Sequence, residues 1–276
     1  MTFSEIITGF DEAVRKGGID AFWNLAPGLF ARALDEKLHV AALNQVLADV
    51  RDRNLPVTAH HTAGQFVALH TSPYSSWAMI FHRLPPTFLY LSPVDALQAR
   101  IGGAELSVTR YSCEEPRSFD LLQPDLQLSQ TEQSRAPLDV AFRRHGCREI
   151  LDWASEEGAA RPGVTLRVNS GLLAEFEWAF GRETKRPAGI SGVDPVRSNL
   201  VTVFSLLASV GDRTSIEELK PFLGGDKHFV RWAAARAIAA IDPSEGVESI
   251  RALADDSHIE VRTAAREALN QLAAAA

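Results

Sequence analysis

Two cysteines and two methionines are all that 276 residues hold of the sulfur-bearing types. Cys113 and Cys147 are too few for a disulfide framework or a structural zinc cluster, so a free-thiol protein of a reducing compartment is expected, with one bridge between the two left open. Long apolar runs are missing too. None approaches the roughly 18 residues of a spanning helix. Cations are in deficit: 28 Lys and Arg stand against 35 Asp and Glu, a net charge of −7. The deficit recurs in each third of the chain, and residues 191–276 hold 9 cations and 12 anions. Nucleic acid and anionic membrane both require clustered cations, so neither is expected as a partner. The start, Met1 to Glu5, carries no basic stretch ahead of an apolar one. A cytoplasmic protein of bacterial type is expected.

Catalytic spacings are lacking as well. No HxH, HxD, HExxH or CxxC occurs, and Gly102-Gly103 after Ile101 has not the spacing of a phosphate loop. No cofactor-binding motif is therefore read.

What the chain does have is a repeat. Val230-Arg231-Trp232-Ala233-Ala234 returns as Val261-Arg262-Thr263-Ala264-Ala265, 31 residues on. The same offset takes Ala237-Ile238 to Ala268-Leu269 and Ile216 to Val247. A fixed helical period of this size reads as a solenoid. Helices are predicted near 195–210, 214–223, 228–241, 244–254 and 259–272, with Asp194-Pro195 and Asp242-Pro243 as start signals. Thr214 with Glu217, and Ser215 with Glu218, offer alternative capping boxes. Small alanines on the inner stripe let stacked helices approach closely. The pattern resembles the HEAT-like repeats of the phycobilin-lyase type, whose recurring Val-Arg-x-Ala-Ala helix is matched twice. The resemblance covers about residues 195–273 and implies an α-solenoid of about two and a half repeats. The paired His-Glu metal motifs of that family's enzymes are absent. Arg231 and Arg262 either bond an acid or carbonyl of the neighbouring repeat or line a binding face with Arg236 and Arg266. Phe229, Arg231, Trp232 and Arg262 are the candidate partner contacts, Trp232 being the exception in a run of alanines.

At the front, Phe3, Ile6, Ile7, Phe10 and Val14 recur at helical steps, from a capping box of Thr2 and Glu5 to a stop at Gly17-Gly18. Residues 19–34 look helical on both sides of Pro27, which should break or kink them. A third helix is predicted over about 36–52. These helices cover the sheet that follows, or serve as a dimerising arm.

From about residue 62 the period changes to that of strands. Gln65–His70 and Trp77–His82 read as a hairpin in which Phe66 faces Phe81, Ala68 faces Met79 and His70 faces Trp77. Further strands are predicted at 87–91, 105–111, 126–129, 138–144, 147–153, 164–168 and 172–180. A turn at His145-Gly146 would pair Val140 with Leu151 and Leu138 with Trp153. Residues 181–192 read as a linker. About nine short strands point to a closed or two-layered antiparallel body. Arg143-Arg144-His145-Gly146-Cys147-Arg148-Glu149 resembles the first cupin motif, with Arg143 where the first metal histidine should stand. The second motif is not found.

The fold class is therefore α+β in three parts: an N-terminal helical cap (1–58), a cupin-like antiparallel β-sandwich or barrel (59–190) and a HEAT-like α-solenoid (191–276). The first functional expectation is a non-enzymatic adaptor. Its solenoid would bind a protein and its β domain a small ligand, in a pocket drawn from Trp77, Met79, Phe81, Phe142, Trp153, Phe176, Trp178 and Phe180; homo-oligomers are open. The alternative is a cupin-type oxygenase or isomerase holding a divalent transition metal on His70, His82, His145 and Glu149. His60 and His61, at the entry to the sheet, could offer at most one more ligand, because adjacent strand residues face opposite ways.

Overall fold

The computed structural model describes residues 3–53, 66–83, 85–156 and 158–275. Thr2, Gln65 and the His60-His61 pair lie outside these. The chain divides into two compact units, Met1–Ser191 and Gly192–Ala276. Among the described residues no helix is long and apolar enough to cross a membrane.

The first unit begins with α1 (Phe3–Asp35), kinked at Gly18, and α2 (Leu38–Arg53). Gly18 has φ 62° and ψ −148°, a conformation that favours glycine, so the predicted stop becomes a bend. Pro27 does not break the helix. The removed hydrogen bond is offset by packing, because Ala26 and Phe30 beside it are fully buried. Phe3, Phe10 and Phe30 surround buried Trp77 at ring distances of 5.9, 6.5 and 6.0 Å. Each such side chain contributes about 1.5–3 kcal/mol of burial.

Among the described residues eleven strands follow: β1 (Phe66–Thr71), β2 (Ser75–His82), β3 (Phe88–Leu91), β4 (Ala96–Gly103), β5 (Leu106–Ser112), β6 (Ser129–Arg135), β7 (Ala141–Arg144), β8 (Glu149–Ser155), β9 (Gly163–Ser170), β10 (Phe176–Gly181) and β11 (Pro187–Gly192). One sheet has the order β1-β2-β9-β4-β7; β6-β5-β8 and β11-β10-β3 are paired sets, with β3 running beside β8. The chain thus alternates between a β2-β9-β4-β7 layer and a β3-β8-β5-β6 layer. Two interlocked Greek keys of eight strands are the jelly roll, the architecture of cupins.

Several predictions of register are corrected. The hairpin pairs His70 with Trp77 as expected, but a bulge at Leu69 shifts the rest, so Ala68 faces Ala78 and Phe66 faces Ile80. β7 and β8 do not form a hairpin: β7 pairs with β4 and β8 with β5, so the turn at 145–148 crosses between layers. A Cβ on Gly146 would stand 2.6 Å from the Val94 backbone, so only glycine fits this crossing. β4 was not predicted, β6 lies after the segment expected for it, and the supposed linker contains β11.

In the second unit α3 (Pro195–Val210), α4 (Arg213–Leu219), a 3-10 turn (Lys220–Gly224), α5 (His228–Ile241), α6 (Pro243–Ala252) and α7 (Ile259–Ala275) fall where the repeat placed helices. Asp212, in place of Thr214 or Ser215, caps α4 by accepting the Thr214 amide. Asp242 caps α6 through the Ser244 and Glu245 amides with Pro243 in the first turn. Ala234, Ala235, Ile238 and Ala265 are wholly buried between the helices.

Candidate functional site

The two faces of the five-stranded sheet have opposite character. Across one row Trp77 pairs with Val168 and Val168 with Leu97; across another Met79 pairs with Leu166 and Leu166 with Ala99. These apolar rows lie under α1. Because side chains alternate, the other face must carry the intervening residues. There Ala78, Arg167, Gln98 and Phe142 form one row, and Ser76, Asn169, Ala96 and Arg144 the next. The face turned toward the second layer is therefore polar where a plain core would be apolar.

A cleft of about 190 Å3 opens between the layers on this face. His82, Gln98, Arg144 and Arg167 line one wall; Tyr90, Ser92, Leu151 and Trp153 line the other. Phe142 meets Trp153 edge-on at 5.3 Å. A larger depression, about 680 Å3, is lined by Arg83, Pro85 and residues 154–156 and 158–162.

The Gln98 amide donates to Thr165 Oγ1 at 2.8 Å, and Thr165 lies 2.9 Å from His82 Nε2. The His82 ring also bonds the Trp153 backbone. The chain of donors assigns the hydroxyl proton of Thr165 to Nε2, leaving the ring proton on Nδ1. Burial first, and the Arg167 charge second, push the His82 pKa down to about 4, so the imidazole is neutral at pH 7. Asp152 is clamped by both Nη atoms of Arg182, at 2.5 and 2.9 Å. Glu177 accepts from Ser92 Oγ at 3.2 Å.

The two arginines differ from these. Arg144 donates one Nη2 bond to the Val94 carbonyl at 2.9 Å, and its Nε has no acceptor. The Arg167 side chain makes no hydrogen bond among the described residues. Arg167 keeps some exposure through the cleft mouth, yet enough protein surrounds it that desolvation is the main cause lowering its pKa, to about 10, with Arg144 adding repulsion. Arg144 also falls to about 10 through burial. Both remain cations at neutral pH.

The metal candidates go to separate tasks. His70 Nε2 bonds Asp11 on α1 at 2.8 Å, on the outer face. Ser75 Oγ bonds the same carboxylate at 2.5 Å, so the imidazole does not stand between hydroxyl and acid as nucleophilic catalysis requires. His145 packs on Trp23 at 5.1 Å. Glu149 bonds the His145 amide and Arg110 at 2.8 and 2.9 Å. His82 alone faces the cleft, so His70, His82, His145 and Glu149 do not converge, and among the described residues they form no ligand cluster. A cupin fold implies a metal in this cleft, but one imidazole beside two guanidinium ions is a donor set that repels a cation, and the residues do not fit.

The expected apolar pocket is also redistributed. Trp77 and Met79 lie under α1, while Trp178 and Phe180 join Leu89, Leu91 and Ile150 in a separate core. Phe81, Phe142 and Trp153 remain near the cleft. Asp95, unforeseen, ties the unit together: Trp23 Nε1 and the Gly146 amide donate to its two oxygens at 2.5 and 2.7 Å.

In the solenoid, Arg231 is buried and holds Asp256 with Nε and Nη2 at 2.8 and 2.6 Å, while Nη1 reaches the Gly225 and Asp226 carbonyls. Arg262 repeats the carbonyl contacts one period later, on Asp256 and Ser257. Trp232 packs into the second repeat's core and Phe229 into the first. All four side chains proposed as partner contacts thus have internal work. Arg266 bonds Asp255 and the Ala254 carbonyl. Arg236 is exposed in a groove of about 250 Å3 with Val201, Phe204 and Ala237 of α3 and α5.

Comparison with known proteins supports the solenoid directly: residues 194–270 match the family of HEAT repeats. No curated protein sequence matches the chain. Among solved structures, the chain is similar to hydroquinone 1,2-dioxygenase PnpCD (8% identity, TM-score 0.27), of which it spans 61% using 37% of its own length. The Sphingomonas sp. TTNP3 hydroquinone 1,2-dioxygenase shows 9% identity and a TM-score of 0.30, with 42% of this chain and 72% of that one covered. The Cellulomonas parahominis L-ribose isomerase shows 13% and 0.29, with 51% and 83% covered. At such identities no residue role transfers to this chain.

Proposed function

We propose that this protein is a binding protein with two working parts: a jelly-roll cleft that holds a small polar ligand and a HEAT-type solenoid that engages a protein partner. The observation that carries the reading is the polar row Arg167–Gln98 on the inner face of a sheet whose outer face is apolar and already buried. A sheet needs one apolar face to fold, and α1 covers it. The polar inner face is left for recognition. Small-ligand sites are concave, with a few convergent polar groups among apolar walls, and this cleft has that composition. HEAT repeats stack into extended surfaces suited to protein partners. The exposed face of α3, with Val203, Leu206 and Val210, and the Arg236 groove are candidate surfaces for that partner.

A screen of small polar compounds against the full chain tests the cleft. Binders should raise Tm and quench the indole of Trp153, and both effects should disappear in Gln98→Leu, while Trp153→Phe should abolish the quenching alone. If no compound raises Tm, or Gln98→Leu responds as the wild type does, the cleft is core and the reading fails.

A further inference from the structure

The charge in the cleft is specific enough to name the ligand's chemistry. Resting on the reading of the cleft as a binding site, we infer that Arg144 and Arg167 form an anion clamp for a small organic carboxylate.

Three observations carry this. First, neither guanidinium comes within ion-pair distance of a carboxylate among the described residues, although both are enclosed by protein. The acids nearest them, Asp95 and Glu177, act only through space and bond neither, so both forks keep donors that no counter-ion takes. Second, buried donors without acceptors collect on the cleft lining. Arg144 Nε, Arg167 Nε and Trp153 Nε1 are all orphaned, against a single orphaned acceptor nearby, Asn169 Oδ1. These atoms are sealed from the cleft, so a ligand would meet the Nη ends of the same guanidinium forks, which are donors only and call for acceptors. Third, the two cations stand close enough that Arg144 repels Arg167. Arg182 occupies Asp152, and Asp95 and Glu177 reach the pair only through space, so an anion bonded by both forks would relieve the repulsion. A planar carboxylate fits guanidinium forks in a bidentate manner, and its organic part would lie against Ile80, Leu151 and Phe88. At about 190 Å3 the cleft is below the roughly 300–1,000 Å3 of larger ligand sites, which keeps that organic part small.

Titration calorimetry on the full chain at pH 7 and low salt decides it, with acetate, benzoate and inorganic phosphate as anions and acetamide and benzamide as neutral isosteres. At least one carboxylate should bind, more tightly than its amide and than phosphate by about tenfold or more. Arg167→Met should lose that affinity by about tenfold or more while melting no lower than the wild type, since it deletes an uncompensated cation. Amides binding as tightly as carboxylates would overturn the clamp but leave the ligand cleft standing. Phosphate binding in preference to both carboxylates would overturn the assignment to a carboxylate. If Arg167→Met keeps its affinity, or melts several degrees lower with Arg144→Met behaving alike, the arginines are struts. No binding of any probe at millimolar concentration removes both the clamp and the cleft.

Discussion

Buried arginine appears in both units of this protein, under opposite conditions. Arg231 of the solenoid has a bidentate carboxylate and two loop carbonyls. Arg144 of the jelly roll, buried as deeply, has one backbone carbonyl and an unmatched Nε, and its half-buried neighbour Arg167 has no side-chain hydrogen bond among the described residues. The lesson is in the accounting. A buried charge whose donors are all matched belongs to the fold, and one whose donors are unmatched is available to something else. The contrast separates an internal strut from a recognition group where the residue type, and even the depth of burial, does not.

The largest effect should come from breaking the matched case. Asp256→Ala leaves Arg231 buried without its carboxylate and removes the acceptor for the His258 amide. The expected cost is about 3–5 kcal/mol, the range for orphaning one partner of a buried pair. In urea the solenoid should unfold well below its wild-type midpoint. An unchanged midpoint would show that the pair contributes only as a surface bridge does.

A second test sharpens the unmatched case through its neighbour His82. The native imidazole titrates near 4, against 6.5 in the unfolded chain. Between those values the unfolded state takes up a proton that the native state refuses. Stability is therefore complete above pH 6.5 and falls as pH drops toward 4, by about 3 kcal/mol in all. Tm measured across this window should decline in the wild type and decline much less in His82→Gln. A slope that survives the substitution would assign the loss to other groups.

The solenoid was legible because its constraint is local. A helix writes its buried face at steps of three and four, and a stacked repeat writes it again 31 residues later at Val261. Helix starts followed too, though Asp212 took the cap from Thr214 because it stands one position ahead of the first helical residue. The jelly roll was legible as a class only. Its strands pair across long separations, so the turn at Gly146 gave no warning that β7 and β8 belong to different layers. The site was hidden for a related reason. Thr165, Arg167 and Gln98 alternate with apolar residues, which reads as a solvated face, and Arg144 stands in a polar run with Arg143 and His145. Only the second layer, brought over that face by topology, turns it inward. The histidines were visible as residue types, but their convergence is a property of the pairing, and the pairing sends His70 to Asp11 on α1.

The smallest effect isolates what the carboxylate adds. Arg262 occupies the same repeat position as Arg231 and caps the same kind of loop, through the carbonyls of Asp256 and Ser257. Its charge is more exposed, and its hydrogen bonds run to backbone oxygens. Arg262→Met retains most of the stem's packing and forfeits those bonds, for about 1 kcal/mol. Urea midpoints should therefore rank wild type, then Arg262→Met, then Asp256→Ala, with most of the interval between the last two. Equal losses would mean that the loop carbonyls, which each arginine bonds in its own repeat, are what the repeat position is for, and that the buried pair at Arg231 adds nothing beyond them.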